Sequence, residues 1–197
     1  MPSHRLPPLP GSTTLPAQRR STTPAGLERF NAAPADDVRR ALLACCGSLR
    51  WACRVTDHRP YPDLDALLAA ADEAAYDLGP ADLAEALSGE SLTALPAGAY
   101  SAARTALSAA HAAYESRFGH VFVIYLDDVS PAEAADRVLA AIRSRLANDP
   151  EDERPLAADE LRRLARGRLV RLARDFSGTG PPSPRPAPAR VEHPPGR

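Results

Sequence analysis

The chain contains no lysine; apart from histidine, every basic residue is arginine. A lysine Schiff base is thereby excluded, and with it ordinary pyridoxal-phosphate enzymology and lysine-dependent aldolase chemistry. A phosphate-binding P-loop, which requires Gly-Lys-Ser/Thr, is excluded as well. Aromatic residues make up only 5% of the 197 residues, so the 44% hydrophobic fraction is mostly Ala, Leu and Val. No apolar run approaches the roughly 20 residues of a membrane span. The N-terminus has arginines but no continuous apolar stretch, and so does not read as a secretory signal. Three cysteines, Cys45, Cys46 and Cys53, make no disulfide framework, and no His or Cys pair shows zinc spacing. Buried apolar thiols, no metal and a cytoplasmic location are the expectation. A formal charge of −1 argues against general attraction to nucleic acid or to an anionic membrane.

What the sequence does have is helical pattern, framed by proline-rich ends. Residues 1–23 and 177–197 cannot bury enough apolar surface to offset chain entropy and are expected to be disordered tails. Between them, residues 24–176 read as one all-α domain, a bundle of about eight helices. The first covers 24–31. Pro34, followed by Asp36 and Asp37, opens a second over 35–46. Ser48 can cap a third that carries Leu49, Trp51, Ala52 and Val55. Asp63 can cap a fourth over 64–78, with an apolar stripe at Leu64, Leu67, Leu68, Ala71, Ala75 and Leu78. Pro80 starts a short fifth helix to 87. A long one covers about 97–118, another 131–147, and a last one 157–176, after the Asn148-Asp149-Pro150 break.

One segment departs from this pattern. After the long helix reaches Gly119, the run His120-Val121-Phe122-Val123-Ile124-Tyr125 is mostly β-branched or aromatic, which suits extended backbone. A lone extended segment over about 120–126 has no sheet to join. Its backbone N–H and C=O groups need other partners, either neighbouring helices or a bound polar ligand.

Single residues with chemical potential are few. His111 shares a helix face with Arg104 and Ser108 and reads as part of a solvated polar stripe. His120 stands at the helix-to-extended junction, where a ligand could be held, and His58 reads as loop surface. The arginines at 162, 163, 166, 168, 171 and 174 read as a solvated face balanced by acidic neighbours.

Five sequence landmarks occur in order along the chain. They are Phe30-Asn31-Ala32-Ala33; Trp51 followed by Arg59-Pro60-Tyr61; and Ala113-Tyr114-Glu115-Ser116-Arg117-Phe118-Gly119 with Phe122-Val123-Ile124. Then come Ile142-Arg143-Ser144-Arg145-Leu146-Ala147-Asn148, and Glu160-Leu161 leading to Arg168-Leu169. With them, the chain from about Leu27 to Leu172 resembles the 2-oxo-4-hydroxy-4-carboxy-5-ureidoimidazoline (OHCU) decarboxylase family, all-helical, cofactor-free enzymes of urate breakdown. The Tyr-x-x-Arg-Phe-Gly-x-x-Phe piece is the most specific part of the match.

The resemblance implies a site and also departures from it. The family's acid/base histidine, in His-Pro-Arg-Ile-Gly, falls at Glu90 here, followed by Ser91. Its Ser-x-x-Glu-Gln stretch corresponds to Ser101-Ala102-Ala103-Arg104-Thr105, keeping only the serine. A basic residue after the extended run, which binds the substrate's charged end, corresponds to Asp127. The positional equivalents are therefore Glu90 and Arg104 for catalysis, and Ser91, Ser101, Thr105, Val123, Ile124 and Asp127 for substrate binding. The family substrate loses its carboxylate as CO2, and the ring is then protonated on one face to give S-allantoin. Backbone N–H groups of the extended run hold the ring's polar edge, a role that Val123 and Ile124 keep whatever their side chains. Arg104 could pair with Glu90 or with the substrate carboxylate. The implied partner is a small ureido or carboxylate molecule, with a homodimer possible. Decarboxylation at a rearranged site, a silent paralogue that binds a related ligand, and action on another ureido substrate all fit these residues.

Overall fold

A computed structural model describes residues 25–91, 101–127 and 129–176, with the backbone only at 101–104. Eight helices among the described residues run in the order α1 (Ala25–Ala32), α2 (Ala35–Leu43), α3 (Leu49–Asp57), α4 (Leu64–Tyr76), α5 (Pro80–Ser88), α6 (Ser101–Phe118), α7 (Ala134–Arg145) and α8 (Pro150–Asp175). Among the described residues there is no strand, so the all-α expectation stands. The expected tails, and the expected start of α6 at about 97, lie outside the described residues.

Local chemistry sets most helix ends. Ser48 accepts a hydrogen bond from the Trp51 N–H at 3.3 Å, and Asp63 accepts one from the Ala66 N–H at 2.8 Å. Each satisfies a donor that the first turn of a helix leaves open. α6 stops at Gly119, whose φ of +77° is a left-handed conformation that a side chain disfavours.

Two helices begin elsewhere than their patterns suggest. α7 starts at Ala134 rather than at 131, because Ser130 and Glu133 close a turn, the Ser130 hydroxyl donating to the Glu133 carboxylate at 2.7 Å. α8 starts seven residues earlier than expected, at Pro150 instead of 157. Pro150 occupies the first turn, where its missing N–H is no loss, and Glu151, Asp152 and Glu153 favour the positive end of the helix. Pro155 removes one hydrogen bond, but burial of Glu153 in the preceding turn fixes the helix there.

The core has two parts. One gathers Leu27, Phe30, Val38, Leu42, Trp51, Leu67 and Leu87 from α1–α5 with Leu161 and Leu169 of α8. The other joins Leu107 and Tyr114 of α6 to Val138 and Ile142 of α7. The extended run is the seam between them. Val121 and Val123 pack into the first part; Phe122, Ile124 and Leu126 pack into the second. Successive side chains of extended backbone point to opposite sides. A helix here could not serve two facing cores by strict alternation, which is why the β-branched run sits in a helical protein.

Candidate functional site

The seam is anchored by buried side chains from three helices. Arg145 of α7 donates to the Val123 carbonyl at 2.9 Å from Nη1 and to Glu153 of α8 at 2.6 Å from Nε. Asn148 donates to the other Glu153 oxygen at 2.8 Å, and the Tyr114 hydroxyl of α6 donates to Glu153 as well. Burial pushes the Glu153 carboxyl up, but these donors outweigh it and hold it below its ordinary value. Burial, with the bond to Glu153, pushes the Tyr114 phenol well up. Further along, the Tyr125 N–H donates to Glu160 at 2.7 Å. Helix side chains therefore take part of the run's backbone. Among the described residues, no acceptor meets the N–H of Val123 or of Ile124.

Beside those two residues lies a cavity of about 560 Å³. Its wall includes Glu90 and Ser91 after α5, Val123, Ile124 and Asp127 of the run, and Arg168 of α8. Arg168 grips Glu90 with both ends of its fork, Nη1 to Oε1 at 2.6 Å and Nη2 to Oε2 at 2.7 Å, and also reaches the Cys45 carbonyl at 3.1 Å. The Glu90 side chain is 6% exposed. The bond to Glu90 raises the Arg168 pKa further, so the guanidinium is charged throughout the working range. Asp127 takes Arg171 at 2.9 Å on the exposed side of the same wall. The wall thus sets a neutralised ion pair beside Val123 and Ile124, whose N–H groups meet no acceptor among the described residues.

Five of the residues named from sequence thus meet at one cavity: Glu90, Ser91, Val123, Ile124 and Asp127. Thr105 lies exposed on α6, away from the described wall, and the side chains of Ser101 and Arg104 are outside the described residues. Glu90's described partner is Arg168, not the Arg104 considered from sequence. Arg168 itself was expected on a solvated face. Its spacing gave a signal, since Leu164, one turn earlier at i−4, lines the same cavity. The remaining arginines of α8 fit the expectation better, Arg162, Arg163 and Arg166 pairing with Asp72, Asp159 and Glu160.

Two histidines are placed differently from one another. His111 is 8% exposed and not part of a solvated stripe; its ring meets Phe122 at 6.0 Å between centroids. The spacing Leu107, His111, Tyr114 puts it on the buried face of α6, a pattern that outweighs the polar one. His120 is half-buried against Tyr114 and lines a second cavity with Glu115 and Arg154, away from the Glu90 cavity. His58 is exposed, as expected of loop surface. Cys45 and Cys46 are buried, and burial pushes both thiols up to about 11, which leaves them protonated and unreactive. Among the described residues, no group of three or more His, Cys, Asp or Glu is arranged to hold a metal ion, and no helix is long and apolar enough to cross a membrane.

An all-helical domain with an extended seam and a small polar cavity defines the class, and comparison with known proteins defines the family. The family model described as OHCU decarboxylase matches residues 31–91 and 89–170. The chain belongs to the OHCU decarboxylase family. It is similar in fold to a crystal structure of OHCU decarboxylase in the presence of (S)-allantoin, with 22% identity and a TM-score of 0.59, over 74% of this chain and 99% of that one. It is also similar to a crystal structure of (S)-allantoin synthase, with 17% identity and a TM-score of 0.59, over 74% of this chain and 53% of that one. The chain therefore spans about half the length of the synthase. No curated protein matches it.

Proposed function

We propose that the Glu90–Arg168 cavity binds the ureidoimidazoline ring of urate breakdown and promotes loss of its carboxylate as CO2, giving S-allantoin. The observation that carries this reading is the meeting of Glu90, Ser91, Val123, Ile124 and Asp127 at one cavity in a chain of this family. The N–H groups of Val123 and Ile124 hold the ring's carbonyl edge. When the carboxylate leaves, its bonding electron pair stays on the ring, and a proton delivered to one face sets the product's handedness. Glu90, at the position of the family's acid/base, relays that proton; Arg104, in the first turn of α6, is the second positional equivalent, and its guanidinium acts by charge rather than as a relay. General acid–base help is worth about 100- to 10,000-fold. The paired arginines of α8 support a small-molecule partner rather than nucleic acid.

A second reading has its own observation. Glu90 is engaged at both oxygens by Arg168, which suits a protein that binds the ring without turning it over. One assay separates the two. The ureidoimidazoline is generated in situ from urate, the purified chain is added, and optically active S-allantoin is followed by circular dichroism. Stereoselective formation well above the spontaneous racemic background is expected. A folded protein that gives no acceleration leaves the binding reading.

A further inference from the structure

The fork between Arg168 and Glu90 also bears on which ligands the cavity accepts. Arg168 is the one cation among the described residues lining the cavity, against two carboxylates, Glu90 and Asp127. The end of the Arg168 fork, Nη1 and Nη2, is already bonded to Glu90, at 2.6 and 2.7 Å, so the guanidinium's charge is spent on that carboxylate. Arg171, which lies outside that lining, is bonded to Asp127 at 2.9 Å. A ligand carboxylate that claimed the end of that fork would have to evict Glu90, leaving a 6%-exposed carboxylate without its partner. Stripping a buried charge of its counter-ion is strongly unfavourable. The Val123 and Ile124 N–H groups, which meet no acceptor among the described residues, suit a neutral carbonyl.

We infer that Glu90 is a specificity-determining residue: by occupying Arg168 it makes the cavity select the neutral ureide ring and discriminate against a carboxylate carried on it. This inference rests on the proposal that the cavity is the ligand site. It also gives the ion pair a place in decarboxylation. A substrate carboxylate with no cation beside it is held poorly in the ground state, and that penalty disappears as the charge leaves.

Hydantoin and hydantoin-5-acetate share one ring and differ by a carboxylate arm, so calorimetric titration of the full chain with each tests the inference. Hydantoin is expected to bind at least about tenfold more tightly, the scale of one charge-assisted hydrogen bond. In Glu90→Gln, the carboxylated ring is expected to gain about 10- to 100-fold while hydantoin changes by less than about threefold. Should that variant melt early, the titration is run below its unfolding transition, where the same gain for the carboxylated ring is expected and no gain overturns the inference. Equal or tighter binding of hydantoin-5-acetate by the unmodified chain overturns the inference and leaves the ligand site standing. Binding of neither ring, together with no S-allantoin formed, overturns both.

Discussion

Arg145 and Glu153 form a buried pair, Nε to Oε1 at 2.6 Å, and the same guanidinium holds the Val123 carbonyl at 2.9 Å. One side chain thus ties α7 and α8 to Val123, a residue of the cavity wall. Removing one partner leaves the other as an uncompensated buried charge, at a cost of about 3–5 kcal/mol. Arg145→Met is therefore expected to lower the stability read from urea unfolding by that amount. It is also expected to weaken ring binding, because Val123 loses its anchor. An unchanged unfolding midpoint would mean that the pair adds nothing to the fold.

Gly167 sits inside α8, where glycine is a poor helix former. A Cβ there would lie 3.2 Å from Tyr125 Cε2 and 3.3 Å from Asp127 Oδ2, close enough that these two side chains of the run would have to shift by a few tenths of an ångström. Gly167→Val is expected to push the run away from α8. The outcome should be ring binding weakened at least about tenfold and stability reduced by about 1–3 kcal/mol through overpacking, with helical circular dichroism unchanged. Unaltered binding in that variant would mean that the run's seat on α8 does not position the donors.

Arg59 closes the other end of the domain. It donates to the carbonyls of Phe30 at 2.7 Å and Ala33 at 2.9 Å, which the end of α1 would leave open. Asn31 brackets Tyr61 beside it, accepting from the Tyr61 N–H at 3.0 Å and donating to its carbonyl at 2.9 Å. Arg59→Ala is expected to cost about 1.5–3 kcal/mol, as for lost bonds to a charged group. None of these partners lines the Glu90 cavity, so ring affinity should stay within about threefold, a difference well under one charge-assisted bond. A large loss of affinity at unchanged stability would contradict this purely structural role.

These contacts show why much of the fold was legible in the chain. The landmark pairs Phe30-Asn31 and Arg59-Pro60-Tyr61 touch each other across the α1–α4 end. In the long landmark, Tyr114 bonds Glu153, Arg117 holds the Asn148 carbonyl at 2.7 Å, Gly119 turns the chain and Phe122 is fully buried. Residue types with such strict geometric demands leave readable patterns. The candidate site was partly legible because backbone donors follow from the extended run itself. Arg168 was less so: on a helix with six other arginines at mixed spacing, charge alone does not tell which one turns inward. The beginning of α8 was hidden for a similar reason, since two prolines argue locally against helix while the buried bonds to Glu153, which favour it, come from distant residues.

Acid should unfold this protein in two separable stages. Burial lowers the His111 pKa, with Glu115 opposing it, and the ring's Nδ1 has no hydrogen-bond partner among the described residues. The folded chain therefore takes up this proton at lower pH than the unfolded chain, whose value is near 6.5. Stability from the neutral, buried ring is complete above that value and drains away as pH falls from it toward the lower folded pKa. Glu153 acts in a lower window. Its folded pKa is held below 4.5, so its contribution is present above 4.5 and is lost as pH falls through the folded value. Urea midpoints measured from neutral pH down to about 3 should thus show an upper and a lower decline. His111→Phe keeps a ring against Phe122 and titrates nowhere, so it is expected to flatten the upper decline and leave the lower one. If the upper decline is the same in His111→Phe, the proton that destabilises the fold there binds elsewhere.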